Sequence, residues 1–117
     1  MSVPIHSPTA PSGPPTLFVA SSIDAESAVL SWSLPEKENR NGIINGYSVH
    51  CREDSGSTVV NVTTKDMDIS IRNLRAAVLY ECKVLAFTVV GGGPWAFVNF
   101  TTRSDGNAVK YFHELAP

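Results

Sequence analysis

The sequence is short of charge, of histidine and of long apolar runs, and each shortage argues against a class of function. Nine Lys and Arg stand against eleven Asp and Glu in 117 residues, a net charge of −2 without a basic stripe for a phosphate backbone. No run approaches the roughly 18 apolar residues of a membrane span. The histidines, His6, His50 and His113, are too dispersed for a triad or a metal set. We therefore expect no nucleic acid, no membrane contact by this domain, no cofactor and no enzyme activity.

Proline divides the chain into a body and two tails. Most of the eight prolines lie in the first 15 residues, and this Pro- and Ser-rich beginning lacks the apolar core of a signal peptide. We expect a soluble piece of a longer protein, with one core formed without a metal. The predicted parts are a linker over residues 1–13, one domain over 14–104, and a C-terminal linker or the start of a following element over 105–117.

Short runs of alternating apolar and polar residues fill the body, and none has helical spacing. They are rich in β-branched and aromatic side chains, as strands are. Seven such runs predict an all-β fold, a seven-stranded antiparallel β-sandwich without a helix in the body. The runs cover residues 16–20, 28–33, 47–52, 57–63, 68–74, 80–87 and 97–102.

The alternation also assigns the faces of the predicted strands. If Trp32 points inward, so do Tyr47, Cys51, Tyr80 and Cys82, whereas the opposite parity carries mostly polar side chains. Polar residues of this second set are Ser31, Ser48, His50, Arg52, Ser70, Arg72, Glu81 and Lys83.

Several separated motifs carry a family resemblance. They are Pro14-Pro15, "LSWSLP" around Trp32, "GIINGYSV" around Tyr47, "LRAAVLY" with Leu74 and Tyr80, and "YECKVLAF" followed by "GGGP". Together, over about Pro14 to Arg103, they resemble a fibronectin type III domain, which has an immunoglobulin-like topology.

The resemblance implies a structural core of Trp32, Tyr47, Leu74 and Tyr80, with the Leu and the Tyr turning the chain into the sixth strand. The sequence departs from the family here, with Ala76 in place of Pro and Val78 in place of Thr. A looser turn is therefore expected.

Two Asn-Gly pairs, Asn41-Gly42 and Asn45-Gly46, are hairpin signals only four residues apart. The resemblance places the first in the loop between the second and third strands and the second at the start of the third strand. Burial of Ile44 and Tyr47 in the core then outweighs a local turn preference.

The two cysteines do not fit an immunoglobulin domain, because Trp32 precedes Cys51. In the fibronectin-like arrangement they lie on neighbouring strands of one sheet, formed by the third and the sixth of the predicted runs. We expect Val49 opposite Cys82 and His50 opposite Glu81, which leaves the cysteines diagonal and too far apart for the geometry that a bridge prefers. The prediction is no disulfide, with Cys51 and Cys82 free and buried, while a bridge stays open as the alternative.

Asn61 in "NVT" and Asn99 in "NFT" are glycosylation candidates of outward parity, although two is no more than chance gives. The tripeptide Arg-Gly-Asp is absent, so no integrin site is assigned. The family is abundant in receptor and adhesion ectodomains. This resemblance implies an extracellular or cell-surface glycoprotein location as part of a larger protein.

An apolar group of outward parity is the strongest binding candidate. Leu85 and Phe87 of one strand should lie beside Trp95 and Phe97 of the next. Apolar surface patches of this kind dock protein partners. The alternative is structural, with Trp95 lying flat on the sheet under Lys or Arg stems or covering a neighbouring domain.

Two classes of function follow from the resemblance. The first is a non-catalytic protein-interaction or spacer module of a receptor or cell adhesion protein, binding a protein partner or an adjoining domain of the same chain. The alternative is an intracellular structural module of cytoskeletal or muscle type, or an engineered binding scaffold. In isolation we expect a monomer.

Overall fold

A computed structural model describes residues 8–104. The tail over 105–117, the first seven residues of the predicted linker, His6 and His113 lie outside the described residues. Within them the chain forms seven strands: β1 Thr16–Ser21, β2 Ala28–Ser33, β3 Gly46–Glu53, β4 Thr58–Thr64, β5 Asp68–Ile71, β6 Leu79–Phe87 and β7 Ala96–Thr101.

The strands form two antiparallel sheets, ordered β1-β2-β5 and β4-β3-β6-β7. The predicted fold, a seven-stranded antiparallel sandwich, is confirmed. The prediction of no helix in the body is wrong by one turn, since Lys37–Asn39 form a 3₁₀ helix between β2 and β3. The N–H of Asn39 donates to the carbonyl of Glu36 at 2.8 Å and closes this turn just after Pro35, where β2 can no longer continue.

Aromatic pairs pack the core between and within the sheets. Trp32 of β2 meets Tyr47 of β3 edge to face across the two sheets, with ring centroids 5.5 Å apart. Within the four-stranded sheet, Tyr80 of β6 stacks on Phe100 of β7 at 5.6 Å. Trp32, Tyr47, Tyr80 and Leu74 are all buried. Such pairs add to the free energy gained from the buried area alone.

The pairing of β3 with β6 corrects the predicted register. Cys51 lies directly opposite Cys82, with Cα atoms 4.0 Å apart, and the two form a disulfide. The prediction of two free thiols is therefore wrong. Val49 faces Val84 rather than Cys82, and His50 faces Lys83 rather than Glu81.

The error has one physical cause. Alternation fixes which face a side chain occupies, because a slip of one residue moves every side chain to the other face. A slip of two residues keeps all the faces, so the apolar pattern does not exclude it. The inward parity of Cys51 and Cys82 was right, and their partners were displaced by two positions.

The turn into β6 is tied down despite the departures at Ala76 and Val78. The N–H of Arg75 donates to the hydroxyl of Tyr80 at 2.8 Å, and that of Val78 donates to the hydroxyl of Thr102 at 3.0 Å. The Thr102 hydroxyl in turn donates to the carbonyl of Arg75 at 2.5 Å. Thr102, which comes just after β7, thus binds the turn from both sides.

Residues 8–13, which the sequence assigns to a linker, lie against the body. The N–H groups of Thr9 and Ser12 donate to the carbonyls of Asn41 and Asn39, at 3.0 and 2.8 Å. Pro11 and Gly13 are buried. The segment therefore packs on the loop between β2 and β3.

Candidate functional site

The outer face of the four-stranded sheet contains all four predicted binding residues. Here Leu85, Phe87, Trp95 and Phe97 are called the β6–β7 patch. Leu85 and Phe87 alternate with buried residues along β6, Phe97 lies on β7, and Trp95 comes directly before β7. The sheet thus brings the four residues onto neighbouring strands of one face.

Two glycines make room for the half-buried side chains of this patch. Phe87 lies opposite Gly46, where an added Cβ would be 2.8 Å from the Cζ of the Phe87 ring. At Gly92 an added Cβ would be 3.0 Å from a terminal carbon of Leu85. Gly46, the second residue of the Asn45-Gly46 pair, is therefore needed for close packing under an aromatic ring rather than for a hairpin.

Trp95 and Phe97 differ in exposure. The ammonium of Lys83 lies 4.4 Å from the centroid of the Trp95 ring, and Trp95 is half-buried. A Lys ammonium over the ring agrees with the structural alternative, and the half-burial of Trp95 leaves part of the ring free to dock a partner. Phe97, opposite Lys83 in register, is 71% exposed.

A polar groove continues the face beyond Phe97. It is about 480 Å³ in volume. Arg52 and Glu81, opposite each other on β3 and β6, both line it and form an ion pair at 2.5 Å. Its lining residues are His50, Arg52, Glu81, Cys82, Lys83, Phe97 and Asn99.

Both glycosylation candidates are exposed on the same sheet. Asn61 lies on β4 and Asn99 on β7, which are its two edge strands. Each side chain has outward parity, as the sequence predicts.

A further cleft lies at the loop end of the sandwich and was not predicted. It is about 690 Å³ in volume and lies between the segment before β1 and the loop before β3. Ile43 is 83% exposed here, and Val89 is 74% exposed. The sequence signal for this cleft is Ile43, an apolar residue in a loop next to Asn41-Gly42, which the alternation pattern does not single out. The cleft is lined by Pro8, Thr9, Asn41, Gly42, Ile43, Asn45 and Val89.

Within residues 8–104, no three His, Cys, Asp or Glu side chains are grouped as a metal site would require. The same stretch contains no helix with the length and apolar character to cross a membrane.

Comparison with known proteins agrees with this architecture. The chain is 34% identical over 104 residues to the cell adhesion molecule DSCAML1 of Mus musculus, covering 82% of this chain and 5% of the relative. It is 34% identical over 98 residues to contactin-4 of Homo sapiens, covering 80% of this chain and 10% of the relative. The chain thus spans only a small part of these proteins.

A solved structure gives the same fold. The crystal structure of chicken CNTN1 domains FN1–FN3 superimposes with a TM-score of 0.68 at 20% identity, covering 81% of this chain and 32% of that one. The family model for the fibronectin type III domain matches residues 13–102. This chain belongs to the fibronectin type III domain family.

Proposed function

We propose that this domain is a non-catalytic protein-interaction or spacer module in the extracellular region of a cell-surface receptor or adhesion protein. The observation that supports an interaction role is the β6–β7 patch, which presents Trp95 and Phe97. On the same face of the sheet, the outward positions of β3 are the polar residues Ser48, His50 and Arg52. Aromatic side chains at the centre of a polar surface are typical of interface anchors.

Two further observations support the extracellular location. The Cys51–Cys82 disulfide supports it, because such bonds are typical of oxidising compartments, whereas cytosolic thiols are kept reduced. The relatives include a cell adhesion molecule. Both count against the intracellular structural alternative.

The test of docking uses Trp95→Ala. Loss of an interface anchor typically costs about 2 kcal/mol, or roughly 30-fold in Kd. The matched control is Leu17→Ala, since Leu17 is apolar, 77% exposed and on β1 of the other sheet. Tetramers of each variant are titrated onto intact cells, and the same cells after trypsin treatment show whether the partner is a protein.

We expect Trp95→Ala to weaken trypsin-sensitive binding while its unfolding free energy falls by about 1 kcal/mol or less, the scale of an exposed cation–π contact. Leu17→Ala should bind as the wild type does. Equal binding by Trp95→Ala, or unfolding of that variant, would assign Trp95 to the scaffold and end the docking proposal.

A further inference from the structure

Strand β7 combines a glycosylation sequence with an exposed aromatic ring. Phe97, Asn99 and Thr101 alternate along the outer face, and all three are exposed. Asn99-Phe100-Thr101 is an acceptor sequence for N-linked glycans. We propose that Asn99 carries such a glycan and that the ring of Phe97 is the surface on which its first N-acetylglucosamine packs.

The spacing along the strand brings the two side chains together. Residues two apart on one strand share a face and are separated by roughly 6.6 Å. A pyranose ring joined to Nδ2 of Asn99 is therefore within reach of the Phe97 side chain. The structure places both residues in the lining of one groove.

The chemistry of the ring face suits a sugar. The face of an aromatic ring carries the negative part of its quadrupole and attracts positive groups. The axial C–H bonds on one face of N-acetylglucosamine present weakly positive hydrogens, so this face stacks on a phenyl ring. Phe97 is 71% exposed, and the ammonium of its cross-strand neighbour Lys83 lies over Trp95 instead.

The rest of the groove supplies polar groups. His50, Arg52 and Glu81 line it beside Phe97. A guanidinium donates to the oxygens of a sugar, a carboxylate accepts from its hydroxyl and amide groups, and an imidazole can do either. One aromatic face bordered by such groups matches the mixed apolar and polar surface of a saccharide.

The attachment is the ordinary transfer reaction of the secretory pathway, so in the natural protein it rests on the proposed extracellular location. Nδ2 of Asn99 attacks C1 of the first sugar of a lipid-diphosphate-linked oligosaccharide, and a C–N bond forms. The bond from C1 to the diphosphate oxygen breaks, and the lipid diphosphate leaves with the electron pair. A base of the transferase takes one amide proton.

The other acceptor sequence provides an internal control. Asn61 is also exposed and also followed by Thr two residues later, but the residue two before it is Val59, an aliphatic side chain. The pairing of β3 with β4 shifts between Cys51 and Arg52, next to this position. A glycan on Asn61 therefore has no aromatic ring at the corresponding place.

The glycan also limits the proposed docking site. A sugar on Phe97 covers one end of the β6–β7 patch and leaves Leu85, Phe87 and Trp95 for a protein. Protein contact over Phe97 then requires a molecule without a glycan at Asn99.

The experiment uses the full chain with an added leader peptide, secreted from a mammalian cell line, with Asn61→Gln as the background for every measurement at Asn99. Peptide mass spectrometry measures occupancy of Asn99. An endoglycosidase trims the glycan to one N-acetylglucosamine, and the unfolding temperature is compared with that of two unglycosylated variants, Asn99→Gln and Thr101→Ala. The second variant keeps Asn99 itself.

We expect occupied Asn99 and an unfolding temperature roughly 4 to 8 °C above that of both unglycosylated variants, the size of one favourable aromatic contact in a small domain. With Phe97→Ala the same comparison should give little or no rise. The converse test uses a chain that keeps Asn61 and lacks the Asn99 acceptor. There, Val59→Phe should make the glycan at Asn61 raise the unfolding temperature.

Two results would overturn the proposal. The first is secreted protein without glycan at Asn99, and the second is an equal temperature rise with Phe97 and with Ala at position 97. Because the leader forces secretion and no partner is needed, either result is independent of where the natural protein is located and of what it binds. A failed cell-binding titration would in turn leave these temperatures unchanged.

Discussion

At the scale of single residues, Tyr47 shows how a polar group is kept in the core. It is 3% exposed and packs against Trp32. Burial raises the pKa of its hydroxyl above the ordinary value of 10.0, and the positive charge of Arg40 opposes part of that rise. The folded domain thus favours the neutral phenol.

This shift predicts a loss of stability in alkali. Above the ordinary pKa, Tyr47 ionises in the unfolded chain before it ionises in the native state, so the native state binds more protons. The free energy of unfolding therefore falls as the pH rises through the folded pKa. Below pH 10 this contribution is complete. Urea unfolding measures the free energy of unfolding at about pH 8 and about pH 10.5. Between these two pH values it should decline less for Tyr47→Phe than for the wild type. Equal declines would show that Tyr47 does not couple folding to pH.

The single residues of the core were predictable from the sequence, whereas the environment of Trp95 was not. Alternation places Trp32 and Tyr80 inside, and period two is a property of every strand. The position of the Lys83 ammonium over Trp95 depends on side-chain rotamers at the end of a loop. No spacing rule specifies those rotamers, so the sequence left docking and structural packing both open.

At the scale of elements, the disulfide fastens the two central strands of the four-stranded sheet. Cys51 and Cys82 are 31 residues apart in sequence and both buried. A loop of this length in the chain-entropy treatment corresponds to roughly 3 to 4 kcal/mol of stabilisation. The bond therefore accounts for much of the margin that an ordinary small domain has.

Chemical unfolding with and without reductant tests this contribution. The free energy of unfolding of the wild-type protein should fall by roughly 3 to 4 kcal/mol on reduction. Reduction removes the bond but keeps both cysteine side chains in the core, so it disturbs the packing less than a substitution does. The variant Cys51→Ala/Cys82→Ala should be insensitive to reductant. Thiol titration of the denatured, unreduced wild type should count none, and a count of two would contradict the bond.

The elements also show the limit of sequence reasoning. The existence, order and facing of the strands follow from short-range patterns, but the partner of each residue follows from loop geometry. The loops after β3 and before β6 decide whether Cys51 meets Cys82, and the tie from Thr102 to Arg75 spans 27 residues. Contacts of that kind form only when the whole sandwich has assembled.

At the scale of the molecule, residues 8–13 join two loops that are distant in sequence. Besides the bonds to Asn39 and Asn41, the hydroxyl of Thr88 donates to the carbonyl of Thr9 at 2.9 Å. The carbonyl oxygen of Pro11 lies only 2.7 Å from where a Cβ would stand at Gly93. The segment is thus held between the loop before β3 and the loop before β7.

A chain that begins at Pro14 should consequently be less stable than one that begins at Pro8, by roughly 1 to 3 kcal/mol. The shorter chain loses several hydrogen bonds, each worth roughly 0.5 to 1.5 kcal/mol, and the conformational entropy of the removed segment offsets part of that loss. Gly93→Ala makes the comparison specific. The added methyl meets Pro11 only when the segment is present, so the substitution should destabilise the longer chain and cost much less in the shorter one. Urea unfolding of the four proteins measures the coupling, and equal effects of Gly93→Ala in both lengths would mean that the segment does not pack on this loop in solution.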